Sequence, residues 1–156
     1  MLEISERIKQ MELEEEELRF PSFTNETALN LGLAIIEEAK RTNKNITVEI
    51  YRSGQRLFSH AMEGTSADNE HWIRRKNNVV QHFGMSSWHV ALQLREEDKN
   101  LENDYGLAFA DYVAAGGGFP LIINELGQVG TITVSGLPDQ EDHDLLISAL
   151  RRFLAL

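Results

Sequence analysis

In FPLIINELGQVGTITVS, Phe119–Ser135, an apolar run (Phe119–Asn124) meets a turn at Gly127 and a second run, Val129–Ser135. Two short strand-forming runs around a glycine turn read as a β-hairpin. A second hairpin lies upstream. ITVEIY at Ile46–Tyr51 alternates apolar and polar residues, as a half-buried strand does, and Arg52-Ser53-Gly54-Gln55 turns the chain into Arg56–Met62. The rest of the chain reads as helix or loop. Two hairpins with helices between them predict an α+β fold, an antiparallel sheet flanked by helices in the order α-α-β-β-α-α-α-β-β-α.

The helices are placed by stripe and cap. Residues 1–19 predict a polar N-terminal helix with Leu2 or Ile4, Ile8, Met11 and Glu15 at near-helical spacing; its acidic run Glu14–Glu17 faces solvent or repels itself, and the helix ends before Phe20-Pro21. This helix packs on its own core or on a neighbouring subunit. Thr24 or Asn25 caps a second helix to about Arg41, with Ala28, Leu31, Ile35 and Ala39 as its stripe and Gly32 for close approach. Asp68 or Asn69 caps a third, which carries Trp72, Lys76, Val79, Val80 and Phe83 on one face and stops at Gly84. Ser86 or Ser87 starts a fourth, through Leu94, and Glu96–Asn103 is a charged, exposed segment. Tyr105–Ala115 predicts a short helix stopped by Gly116-Gly117-Gly118. The last runs from about Asp139 to Leu154, with Leu145, Leu146, Ala149, Leu150, Phe153 and Leu154 inward. No repeat or linker divides the chain, so residues 1–156 are expected to form a single domain.

Bulk properties exclude several classes. A formal charge of −10 disfavours nucleic acid and anionic membranes, which reward a concentrated positive patch. The absence of cysteine removes disulfides, thiolate metal sites and cysteine nucleophiles. No apolar run approaches the roughly 20 residues of a membrane span, and no signal-peptide pattern is present, so a cytoplasmic protein without an integral membrane segment is expected.

Three stretches carry candidate chemistry. GLPDQEDHDLL packs four carboxylates and a histidine into Asp139–Asp144, directly after Ser135-Gly136. On a helix starting at Asp139 the acids are explained by capping and by the helix dipole, which favours negative charge in the first turn. Asp142 and His143 point about 100° apart and cannot serve one centre from the helix alone. NEHWIRRK, Asn69–Lys76, combines an aromatic ring with Arg75 and Lys76, a pairing suited to a planar anion or to an interface. Gly116-Gly117-Gly118 either ends a helix or brings backbone close to a ligand; without a following Lys-Ser/Thr it is no P-loop. The five histidines form no HExxH pattern, so no metal site is expected, and no serine lies in GxSxG.

The ordered set DNEHWIRRKNNVV, FGMSSW, AAGGGFP, VGTITVSGLP and EDHDLL resembles the uncharacterised cytoplasmic branch of the haem-degrading domain superfamily, the HbpS/GlcG-like proteins, over about residues 20–155. The resemblance implies a profilin-like fold and a homo-oligomer, and it brings haem in as a possible cofactor, although the chain has no Cys-x-x-Cys-His. It assigns no reaction and no catalytic residue.

The resulting expectation is a small anionic ligand held near a subunit interface by Asn69, Trp72, Arg75, Lys76, Gly116, Gly117, Gly118, Ser135, Gly136, Asp142 and His143. Arg75 and Lys76 hold the anion, Trp72 is a flat wall, and His143 bonds or coordinates. The alternative is a scaffold or adaptor without ligand chemistry, with Trp72 and Trp88 buried between protomers and Asp142 paired with Arg75 across the contact. Haem binding or degradation is the third reading.

Overall fold

The computed structural model describes residues 3–156; Leu2, offered above for the first stripe, lies outside the described residues. The elements are α1 (Ile4–Glu17), α2 (Asn25–Arg41), β1 (Thr47–Arg52), β2 (Gln55–Ala61), α3 (Ala67–Phe83), α4 (Ser87–Glu97), α5 (Leu101–Tyr105), β3 (Gly118–Ile123), β4 (Gly127–Ser135) and α6 (Asp139–Leu154). Both hairpins form, and β1 pairs antiparallel with β4 to join them into one sheet of order β2-β1-β4-β3. The α+β architecture and element order match the sequence reading.

Alternation along the strands separates two unlike faces. Val48 and Ile50 of β1, Ile132 and Val134 of β4, and Phe119 and Leu121 of β3 meet Leu31 and Ile35 of α2 and Leu146 and Leu150 of α6 in the main core. Gly32 lets α2 lie directly on Phe58 of β2, whose ring an added Cβ would overlap. The other face carries Thr47, Glu49, Thr131, Thr133 and Ser135, all buried. Helix α3 crosses this face and satisfies part of it: Asn77 accepts from the Thr133 hydroxyl, and Asn69 Nδ2 donates to Ser135 Oγ at 3.2 Å. The sheet is therefore covered on both sides, whereas simple alternation implied a solvated polar side.

Local chemistry sets the helix ends. Thr24 and Thr27 bond reciprocally at the start of α2. For α3 the cap is Ser66 rather than Asp68 or Asn69; Asn69 sits three residues in, and its Oδ1 accepts from the Ser66 N–H at 2.9 Å. Ser86 caps α4. Helix α6 begins after Pro138, so Asp139 is its first residue rather than its cap, and the Asp139 carboxylate accepts from Gly116 N–H at 3.3 Å.

The predicted helix over Tyr105–Ala115 is replaced by a shorter one upstream. Asn100 accepts from the Asn103 N–H to start α5, inside the segment read as merely charged, and Gly106, at φ 68°, ends it. Residues 107–115 contain no helix. They are fixed instead by α3, whose Arg74 donates to the Ala110 carbonyl and Asn78 to the Asp111 carbonyl. The glycine triplet consequently stops no helix; it leads into β3.

Helix α1 packs within the chain, with Met11, Ile4 and Ile8 against Trp88, Ala91 and Leu92 of α4. Behind it, Phe20 exchanges backbone hydrogen bonds with Ile122 and Asn124 and covers the outer edge of β3. Among the described residues no strand covers the outer edge of β2.

Candidate functional site

Strand β4 passes into α6 through Gly136, at φ 139°, Leu137 and Pro138. This turn faces the first half of α3 across a cleft of about 440 Å³, lined by Asn69, Trp72 and Lys76 on one side and by Ser135–Asp139 and Asp142 on the other. Two of the three sequence stretches thus converge: the α3 block, and Ser135-Gly136 with the first turn of α6.

Lys76 forms the floor. Its ammonium donates to the Val134 carbonyl at 3.0 Å and to Asp142 Oδ2 at 3.3 Å, and the residue is 2% exposed. Asp142, 1% exposed, accepts from the Leu137 N–H at 3.1 Å through its other oxygen. Burial pushes the Asp142 carboxyl up to about 6, and the attraction of Lys76 and the backbone N–H groups of Leu137 and Gly136 offset it only in part. Burial likewise lowers the Lys76 ammonium, against the pull of Asp142 and Asp139. Desolvation outweighs attraction on both partners, as is common for buried pairs.

The glycine triplet lies beneath this pair. Gly117, at φ 126°, has its carbonyl bonded by the Val134 N–H at 3.0 Å, and an added Cβ would overlap the Val134 carbonyl and come within 3.1 Å of Lys76 Nζ. Gly118 N–H donates to Ser87 Oγ at 2.9 Å. The triplet lets backbone approach backbone beside the site; it does not line the cleft.

Two expected members point elsewhere. Arg75, one residue before Lys76, is turned about 100° from it around the helix and stacks between the Trp72 ring (4.6 Å) and the Phe109 ring (5.0 Å), outside the cleft. His143, 2% exposed, meets Glu14 of α1 through Nε2 at 2.9 Å, and its Nδ1 has no hydrogen-bond partner. It faces neither a pocket nor a neighbouring subunit. His89 makes the same kind of contact with Glu15 at 3.0 Å. Glu14 and Glu15, read as solvent-facing, are therefore inward partners of two buried histidines. Of the contacts named for the scaffold alternative, Trp88 is buried within the chain and donates to Gln140 at 2.8 Å, and Asp142 pairs with Lys76 rather than Arg75, while Trp72 stays half-exposed.

Sequence reasoning missed one further carboxylate. Glu49, on the polar sheet face, accepts from the Tyr51 hydroxyl at 3.0 Å and Ser59 Oγ at 3.4 Å, and burial raises its pKa above the usual carboxylate range. Alternation alone placed it in solvent.

Comparison with known proteins follows this geometry. The family described as haem degrading protein HbpS-like matches residues 23–151. The chain belongs to the HbpS-like family. Among curated relatives, a UPF0303 protein of Serratia proteamaculans is 43% identical over 155 residues, 99% of this chain and 96% of the relative. A UPF0303 protein of Edwardsiella ictaluri is 44% identical over 151 residues, 97% of this chain and 96% of the relative. Of solved structures, Ybr137w superposes with a TM-score of 0.87 at 27% identity, covering 95% of this chain and 87% of that one. The PduOC:heme complex gives 0.67 at 17% identity, with 84% and 93% covered, and shares the fold.

Haem is the group that the family's description names. Haem iron takes an axial His, Cys, Met or Tyr. Asn69, Trp72, Lys76, Ser135, Leu137, Pro138, Asp139 and Asp142 provide none of these, and His143 is engaged by Glu14. The residues of this cleft do not fit haem. Among the described residues no three His, Asp or Glu side chains group as a metal site.

Proposed function

We propose that this HbpS-like chain is a self-associating cytoplasmic protein, one domain over residues 1–156, that binds a small ligand bearing one anionic group in the cleft between α3 and the start of α6. The observation that carries the reading is the Lys76 ammonium, held nine-tenths or more out of water at the floor of an open cleft. Asn69 and Ser135 offer polar contacts above it, and the half-buried Trp72 offers a flat wall. Arg75 takes no part. The proposal assigns no reaction.

The neighbouring acid makes binding depend on pH. With Asp142 ionised, Lys76 is already compensated and an incoming anion meets little net charge. With Asp142 protonated, the ammonium is free to hold the anion. Binding coupled to uptake of one proton tightens by up to about tenfold per pH unit above the Asp142 midpoint. Calorimetric titration with benzoate, whose own carboxylate stays ionised from pH 5.5 to 7.5, reads this directly. Affinity is expected to rise as the pH falls toward 6, Asn69→Ala to weaken it, and Asp142→Asn to give tight, pH-independent binding. Absence of benzoate binding throughout this pH range would sink the proposal.

Self-association is supported by the outer edge of β2, which no strand covers among the described residues, and by Leu29 and Leu33, exposed one turn apart on α2, the helix whose Gly32 lies on Phe58 of that strand. Light scattering on Leu29→Glu/Leu33→Glu is expected to give the mass of a single chain where the unaltered protein gives a multiple. Equal masses for both proteins would rule out this surface as the contact.

A further inference from the structure

We propose that the groove between α4, α5 and the 106–117 segment is a second ligand site, for a medium-chain monocarboxylate whose carboxylate is taken by Arg95. It shares no residue with the cleft at Lys76 and does not rest on the reading of that cleft.

The groove is a built feature. Residues 106–117 lack regular structure, yet several bonds pin them away from α4. Arg74 donates to the Ala110 carbonyl at 2.9 Å and to Asp111 at 3.2 Å; Asn78 donates to the Asp111 carbonyl at 2.8 Å; and Phe109 N–H donates to Glu102 at 3.1 Å. Behind this tethered segment lies a groove of about 520 Å³, within the range of small-molecule sites. Its apolar walls are Ala91, Leu94, Leu101, Leu107, Phe109 and Val113. Phe109 presents 60% of its surface to solvent at the groove.

The charge on the rim selects the ligand. Arg95 lies one turn from Ala91 on α4, and its guanidinium rests over the Trp88 ring at 5.0 Å. Among the described residues it makes no ion pair. Lys99 is held by Glu97 at 3.5 Å, and the Glu102 carboxylate is engaged by Phe109 N–H. An uncompensated guanidinium beside an apolar groove, in a chain of net charge −10, complements an anionic head on an apolar tail. A carboxylate can meet the guanidinium fork with two parallel hydrogen bonds. An amine offers no acceptor to the guanidinium, and the Glu102 carboxylate on the same lining is already held by Phe109 N–H.

The test is calorimetric titration of the full chain with hexanoate, octanoate and decanoate below their micelle concentrations, with 1-octanol and octylamine as controls. Burial of each added methylene is expected to tighten binding by about fourfold. Octylamine should bind much more weakly than octanoate. Arg95→Gln should weaken octanoate about tenfold or more while leaving 1-octanol unchanged, and Phe109→Ala should weaken both. Equal affinity for octanoate and octylamine, no dependence on chain length, or no response to Arg95→Gln would overturn the proposal. So would a fall in oligomer mass on Phe109→Ala, which would show a second copy of the chain occupying the groove.

Discussion

Gly116→Ala is expected to lower stability by about 3 kcal/mol or more, and the melting temperature by about 6–12 °C for a chain of this size. The added Cβ would overlap the carbonyl oxygen of Asp139 and lie 2.7 Å from its carbonyl carbon and 3.0 Å from its Cα. All three are backbone atoms in the first residue of α6, so no rotamer change relieves the clash. The approach to β3 and the start of α6 would have to separate, and the Gly116 N–H bond to Asp139 would be lost with them. Gly84→Ala is the control. That glycine, unlike Gly116, has a positive φ, 71°, and its nearest neighbour would be a Gln128 side-chain oxygen at 3.8 Å. Its cost is then limited to the left-handed backbone, about 1–2 kcal/mol. Equal melting temperatures for the two variants would show that the contact with Asp139 is not tight.

Neutralising Asp142 is expected to act in the opposite sense. The sign follows from its midpoint of about 6 in the folded chain against 3.8 for the ordinary group. The folded state holds the proton more tightly, so this group favours folding fully below about pH 4, and that contribution is lost as the pH rises through about 6. At neutral pH the native carboxylate therefore opposes folding. Asp142→Asn, nearly isosteric and still able to accept from Leu137 N–H, is expected to stabilise the protein at pH 7, by an amount limited by the loss of the counter-charge to the buried Lys76 ammonium. The gain should vanish below pH 4. Lys76→Met/Asp142→Leu, which replaces both charges by apolar groups, should be at least as stable as the unaltered chain, in line with other buried pairs. Denaturant unfolding between pH 4 and 7 measures both. If Asp142→Asn is destabilising at pH 7, the pair is a structural latch between α3 and α6, and the cleft loses the charge that makes it a site. A pair that opposes folding is the kind of feature retained for binding.

The candidate site was legible in part. Asn69, Trp72, Lys76, Ser135, Gly136 and Asp142 do converge, and each lies in a stretch that stands out for composition. Arg75 and His143 were grouped with them because they are sequence neighbours of Lys76 and Asp142. One step along a helix turns a side chain by about 100°, enough to place each in different surroundings. Asn100 as a cap and Gly106 as a stop were both visible, and weighing them above the apolar content of residues 107–115 would have placed α5 correctly.

By itself the sequence determined the two hairpins, the caps of α2 and α4, the stripes of α2 and α6, and hence the α+β class. These follow from backbone preferences and from contacts within one turn or one hairpin, which are local in the chain. The tertiary structure alone decided that the polar face of the sheet is buried under α3. It also decided that Lys76 meets Asp142 across 66 residues and that His143 meets Glu14 across 129. Such pairings depend on which faces of distant elements pack together, and burial then sets the protonation of the groups they enclose. The buried Lys76–Asp142 pair, on which the proposed site rests, is a property of that packing.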